Sequence, residues 1–348
     1  MSKKQAMPAP LVAVKRTASS ISNIWDRLDY AIKGAMENGY SWNSSVCPCP
    51  IAVAIACLVD TGLSPVEASS KAGIVSAEYA WRKVKRIYRF NSELATEVIN
   101  TEWDLVIPID IIHYMPEPCI YVQTDVIPDI DGFFATIEYD IELHHEELRF
   151  YMIDSDGDIN NACIIHMDVG QTLQQGIDKA IKTMHNNANN ELLKRLGTQV
   201  SQRAVNEIES TRDLSLKVVQ LLLYICAENA DISENPEQSK IYQKRQNVGD
   251  YFREIRKWDV GKHIGEQIRV IKNSKKVKDI EENKEDTDTD ENSKITSIRK
   301  YKNRPHVRRA HWHHYWVGEG RTKLVLKWVS TLIVNAEDGE LDTTILKM

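Results

Sequence analysis

The chain has 348 residues, about two domains' worth at ~150 residues each, so a sizeable core is available and a single small module is excluded. Hydrophobic residues make up 42% and charged residues 27%, with 15 Gly and 11 Pro, which sets aside wholesale disorder and collagen-like repeats. The formal net charge is −6, and no run approaches the ~20 apolar residues that span a bilayer, so the composition reads as a cytoplasmic globular protein with no membrane partner.

Residues 1–20 carry basic and polar side chains without the apolar core of a leader peptide, and read as a flexible basic N-terminus. A helical domain is expected over 21–117. Ile24, Trp25, Leu28, Ala31, Ile32 and Met36 recur at three- and four-residue steps, so Ser22 to Met36 forms an amphipathic helix that Gly39 ends. A second, apolar helix runs from Ile51 to Val59. Next come Pro65 to Lys71, with Ser64 as N-cap, and Ser76 to Tyr88, with Ala77, Ala80, Trp81, Val84 and Ile87 on one face. With Gly73 as the turn between them, residues 64–88 have the spacing of a helix-turn-helix. Arg82, Lys83, Lys85 and Arg86 on the second helix suit either a DNA groove or an ordinary solvated face.

The six cysteines, Cys47, Cys49, Cys57, Cys119, Cys163 and Cys226, form no secreted-domain framework and read as reduced thiols. Cys47-Pro-Cys49-Pro is half of a zinc knuckle without a second Cys or His pair at ligand spacing. No metal or other cofactor is expected.

Over 118–232 the period changes to two and then back to helical. Cys119 to Gln123, Phe133 to Leu143, Leu148 to Ile153 and Ile159 to Met167 read as an antiparallel meander, with turns at His144 to Glu147 and Asp154 to Gly157. Asp154, Asp156 and Asp158 resemble a calcium loop, but glycine stands at the fourth position and no glutamate at the twelfth, so a hairpin turn is the simpler reading. Helices follow at Thr172 to Leu196 and Thr211 to Glu228, the latter apolar almost all round and therefore buried.

The last segment, 233–348, is expected to be β-rich around an acidic linker at 276–293. Ile264 to Ile271 reads as a strand entering it. Asp279 to Glu291 holds eight acids against Lys284, and without it the chain sums to +1. Lys294 to Arg309 then carries seven Lys or Arg and no acid, either a solvated charge block or a basic arm for an anionic partner. Two strand-like runs close the chain, His306 to Val317 and Lys323 to Val334, around Gly318-Glu319-Gly320.

Four of the ten histidines fall between Arg304 and Trp316. Strand alternation would put His306, Arg308, Trp312, His314 and Trp316 on one face and Arg309, His311, His313 and Tyr315 on the other. Guanidinium holds an anion bidentately, imidazole moves a proton near neutral pH, and aromatic rings stack on bases or peptide side chains. His306, His311 and His313 are thus the candidate acids and bases of a metal-independent ribonuclease, with Arg308 or Arg309 on the phosphate. His311 and His313, two apart on one face, can also hold a metal, although no acidic or Cys partner stands at fixed spacing. The bland alternative is aromatic packing into a sheet core.

Trp258-Asp259-Val260-Gly261 with Gly265 and Arg269, Pro305 to His313, Trp316-Val317-Gly318, Leu324 to Trp328 and Val334-Asn335 together resemble the type V-A anti-CRISPR family that suppresses biogenesis of the type V-A effector nuclease. The quoted motifs span about 80 residues. The resemblance implies a regulatory protein of a phage, plasmid or other mobile element, acting in the host bacterial cytoplasm. It would recognise the N-terminal peptide of the nascent nuclease, with its mRNA or the ribosome as further partners, and lower the nuclease's mRNA and protein. Arg304, Arg308, Arg309, His311, Trp312, His313, Trp316 and Trp258 are the candidate binding residues. The expected fold is α+β: a helical N-terminal part packed on an antiparallel sheet, with the C-terminal strand pair completing a sheet.

Overall fold

A computed structural model describes residues 7–102, 106–142, 144–183, 202–235, 255–285, 306–330 and 332–334. Its centre is a seven-stranded sheet in the order β5-β4-β3-β2-β1-β7-β6. β1 (Arg86–Phe90) runs parallel to both β2 (Cys119–Gln123) and β7 (Arg256–Val260). β3 (Gly132–Asp140), β4 (His145–Ile153) and β5 (Ile159–His166) continue from β2 as an antiparallel meander, and β6 (Ile232–Glu234) pairs antiparallel with β7. The fold is α+β as expected, with a mixed sheet in place of a wholly antiparallel one. Its strands come from all three of the segments 21–117, 118–232 and 233–348.

The central strands are apolar at successive positions because both faces are covered. Ile87, Cys119, Tyr121, Phe134, Tyr151 and Ile153 face a core shared with α1 (Ala9–Ser20), α2 (Ile24–Glu37), α3 (Ile51–Asp60) and α4 (Pro65–Val84). Tyr88, Phe90, Ile120, Val122, Phe133 and Phe150 face a second core. It is built with α5 (Ser92–Ile99), a 3-10 turn at Ile109–Tyr114, α6 (173–183), α7 (Gln202–Cys226) and α8 (Lys262–Glu285).

Several expectations are overturned. The N-terminus is helical from Ala9, because Leu11 and Val14 bury in the first core and Arg16 pairs with Asp158, donating also to the Asp156 carbonyl at 2.8 Å. The acidic triplet, by contrast, is the turn expected of it: Asp154 Oδ1 accepts the Asp156 and Asp158 N–H groups at 2.9 Å.

The helix-turn-helix is absent, since α4 is one continuous helix of 20 residues. Gly73 is there for close approach: a Cβ at this position would overlap the Tyr151 hydroxyl. The basic residues are engaged in the fold. Arg82 stacks 4.4 Å over Trp25, Lys83 pairs with Asp29 at 2.9 Å and Arg86 with Glu117 at 3.0 Å. Lys85, with positive φ, ends α4, and the chain turns directly into β1, a strand where a longer helix was expected.

Ile264 to Ile271 is helical, not a strand. Ile264, Ile268 and Ile271 recur at four and three residues, and Asp231 caps the helix start by accepting the His263 and Ile264 N–H groups at 2.8 and 3.1 Å. α8 carries the backbone as far as Glu285, so the first part of the acidic linker is helix, and the basic arm between 294 and 305 lies outside the described residues.

Candidate functional site: the C-terminal hairpin

The two C-terminal runs pair antiparallel as expected, but in sheets of their own and not as an extension of the seven-stranded one. β9 (His311–Val317) pairs with β10 (Lys323–Val329), and β8 (His306–Arg308) with β11 (Leu332–Val334). The register carries straight through, His311 opposite Val329 and Arg308 opposite Leu332, so this is one hairpin interrupted around residues 309–310.

A two-stranded ribbon is marginal alone, and this one is held by tryptophan. Trp312 and Trp328 stand directly opposite each other, 2% and 1% exposed, and enter the second core. The Trp312 indole donates to Gln220 Oε1 at 3.2 Å, and the Gln220 amide donates in turn to the carbonyls of Ile99 and Thr101. The Trp328 indole donates to Thr101 Oγ1 at 3.0 Å and meets the Tyr224 ring edge-on at 5.6 Å. Along β10 the main chain is tied down as well. The Leu326 carbonyl accepts the Glu228 N–H at 2.9 Å, the Leu324 carbonyl accepts the Tyr114 hydroxyl at 3.0 Å, and Asn229 bonds both the N–H and the C=O of Trp328.

The β9 side differs. Among the described residues β10 is its one ladder partner. His313 is exposed, Trp316 is 53% exposed, and the Arg309 guanidinium, 84% exposed, meets Glu102 at 2.6 Å. His313 lies beside the Tyr315 ring at 5.6 Å, and Lys327 stands 5.0 Å over that ring while pairing with Glu228 at 3.2 Å.

Of the sequence candidates, the hairpin therefore brings Arg309, His311, Trp312, His313 and Trp316 together, but gives them different work. Trp312 is an anchor, whereas Trp316, Arg309 and His313 face outward. His306 and Arg308 are described by backbone alone, in β8, and Arg304 lies outside the described residues. Trp258 sits in β7 of the large sheet, stacked on Tyr88 at 6.2 Å with the Arg86 guanidinium 5.5 Å from its ring. Gly261, three residues on, has φ 75°, and a Cβ there would overlap Leu94, so that part of the motif packs the start of α8 against α5.

Sequence reading passed over a second polar cluster. His145 and Glu147 on β4 meet His166 on β5, with Arg149 on the far oxygen of Glu147. His145 and Glu147 are visibly two apart, but only the register that sets Glu147 opposite His166 completes the group.

Comparison with known proteins agrees with the sequence resemblance. The sequence model of the AcrVA2-like family, described as the Anti-CRISPR type V subtype A2 family, matches residues 88–336. The solved crystal structure of AcrVA2 superposes with a TM-score of 0.58 at 16% identity, covering 95% of this chain and all of that one. Protein FinQ of Escherichia coli is 26% identical over 230 residues, 58% of this chain and 62% of FinQ, so the match spans less than two thirds of that relative. With a family match that takes in the sheet from Tyr88 onward together with the whole hairpin, the chain belongs to the Anti-CRISPR type V subtype A2 family.

Proposed function

We propose that this protein recognises the N-terminal peptide of the nascent type V-A nuclease, and so lowers the level of the nuclease and its message, through the outer edge of β9. The observation that carries the reading is the asymmetry of the hairpin. β10 has its backbone and its Trp328 fixed to α7 and the neighbouring turns, while β9 keeps a strand edge beside Trp316 and His313. An extended peptide adds to such an edge by main-chain hydrogen bonds, and its alternate side chains are then read by whatever stands beside it. An exposed indole supplies apolar area, and Arg309 supplies a cation that a competing carboxylate on the peptide can draw from Glu102. Membership of an anti-CRISPR family supplies the biological context, and the family match includes every residue of this edge.

The test is binding of a synthetic peptide with the nuclease's N-terminal sequence to the purified chain, followed by fluorescence anisotropy, with a scrambled peptide as control. Selective binding that weakens at least tenfold in Trp316→Ala supports the reading. Equal binding of both peptides, or an unchanged affinity in Trp316→Ala, moves recognition off β9.

A further inference from the structure

We infer that His145, Glu147 and His166 form a binding site for one divalent transition-metal ion, of which zinc is the best fit. Three atoms define it: His145 Nε2, His166 Nδ1 and Glu147 Oε1. The two imidazole nitrogens are 3.2 Å apart, and each is 3.2 Å from the carboxylate oxygen. A triangle with equal edges of this length is one face of a tetrahedron whose centre lies about 2.0 Å from each corner, the bond length zinc makes to imidazole and carboxylate. The two-His, one-carboxylate donor set is also one that zinc takes in sites with an open fourth position.

Hydrogen bonding alone does not account for this triangle. A carboxylate oxygen brings no proton, and each ring nitrogen brings at most one. If both nitrogens donate to Oε1, two N–H hydrogens oppose each other across the N···N edge. If only one is protonated, a lone pair faces the oxygen on another edge. A cation at the centre satisfies all three edges together.

The fold around the cluster supports the same use. Glu147 is buried and directly opposite His166 across the β4–β5 ladder, and His145 is two residues back on the same face. Arg149 donates to Glu147 Oε2 from Nε at 2.9 Å and also from Nη2, which occupies one oxygen and leaves the other aimed between the rings. Such an outer partner fixes the orientation of a ligating carboxylate. Both imidazoles are partly exposed, so an ion has a path in and water has access to a fourth position. Lys179, the other nearby cation, is taken up by Asp168.

The experiment uses the full chain, purified without a histidine tag, dialysed against micromolar free zinc and analysed for metal per chain. One zinc per chain is expected, with cobalt(II) in its place giving the intense visible absorption of a tetrahedral ion. His145→Ala/His166→Ala should lose that ion while keeping its far-UV circular dichroism, and His311→Ala/His313→Ala should retain it. A wild-type chain that takes up no zinc, or a cobalt spectrum of octahedral type, overturns the site without recourse to any variant. So does zinc retained by the first double variant or lost from the second.

Discussion

Among the described residues, two hairpins carry histidine beside arginine, and they organise it in opposite ways. In β9–β10 the histidines are consecutive or nearly so, His311, His313 and His314, yet alternation sends neighbours to opposite faces and no three of them converge. In β4–β5 the two histidines are 21 residues apart, and the strand register brings their ring nitrogens to 3.2 Å around a shared carboxylate. Density of a residue type along the chain therefore says little about a side-chain cluster; cross-strand pairing decides it. The hairpins also differ in what holds them. β4 is an interior strand of the large sheet, whereas β9–β10 depends on two tryptophans reaching into a core that other elements build.

That dependence gives the largest expected effect. Trp328→Ala removes a side chain 1% exposed, its indole hydrogen bond to Thr101 and its contact with Tyr224. A loss of about 4 kcal/mol in urea unfolding is expected, with the hairpin amides losing hydrogen-exchange protection first. If protection across 311–329 survives the change, the hairpin is held by something other than its anchors.

Arg149→Ala is the matching break in the β4–β5 hairpin. Glu147, 6% exposed at its side chain, would lose the guanidinium that neutralises it, and removing one partner of a buried pair costs about 3 kcal/mol. Arg149→Lys should recover only part of this, because a single ammonium does not reproduce contacts from both Nε and Nη2. Full recovery would show that charge alone matters and that the carboxylate needs no orientation.

The contrast also explains what was legible in the sequence. The meander was readable because short runs rich in aromatic and β-branched residues, such as Cys119 to Gln123 and Phe133 to Ile137, stand between turn residues, and the hairpin because glycines separate two strand-like runs. The imidazole cluster was not, since a register is a relation between strands and leaves no local mark. α8 passes for a strand in the sequence because Ile264, Ile268 and Ile271 lie in a short stretch, and because its cap, Asp231, stands 32 positions before His263. The helix-turn-helix reading failed at Gly73, where glycine makes room for Tyr151 in the middle of a helix. Strand alternation is enough to place the β9 candidates on one hairpin, but the division between buried Trp312 and exposed Trp316 depends on which end of the strand α7 covers.

A third difference is one of buried charge. The helical layer over β3 and β4 encloses Glu78 and Glu138, and burial pushes their carboxyls up to about 8 and about 7. Glu138 is partly compensated by Cys47 Sγ at 3.1 Å and by Ser76 at 3.0 Å, whereas Glu78 Oε2 has no hydrogen-bond partner. A raised folded-state value means that the native state holds the proton after the unfolded chain has released it. Stability from Glu78 is thus complete below about 4.5 and declines by about 1.4 kcal/mol per pH unit until about 8. Glu78→Gln should remove that part of the slope, so the difference between wild type and variant, measured by urea unfolding from pH 5 to 8, should widen steadily. A difference that stays constant across this range would mean that Glu78 ionises at its ordinary value.

The smallest effect on stability is expected where the largest effect on function is proposed. Arg309 is 84% exposed and its partner Glu102 70% exposed, so their ion pair is screened by water and contributes under about 1 kcal/mol. Trp316 on β9 is half out of the core, and its replacement by alanine leaves Trp312, Trp328 and the β10 tethers in place. Arg309→Ala and Trp316→Ala should therefore melt within a few degrees of wild type, yet fail to suppress accumulation of a type V-A nuclease in cells that co-express it. The two hairpins separate cleanly in this assay: Arg149→Ala, if it folds at the growth temperature, should still suppress, because β4 is remote in sequence and role from the β9 edge. Loss of suppression in Arg149→Ala with wild-type behaviour in Trp316→Ala would reverse the assignment and place recognition on the β4–β5 side of the sheet.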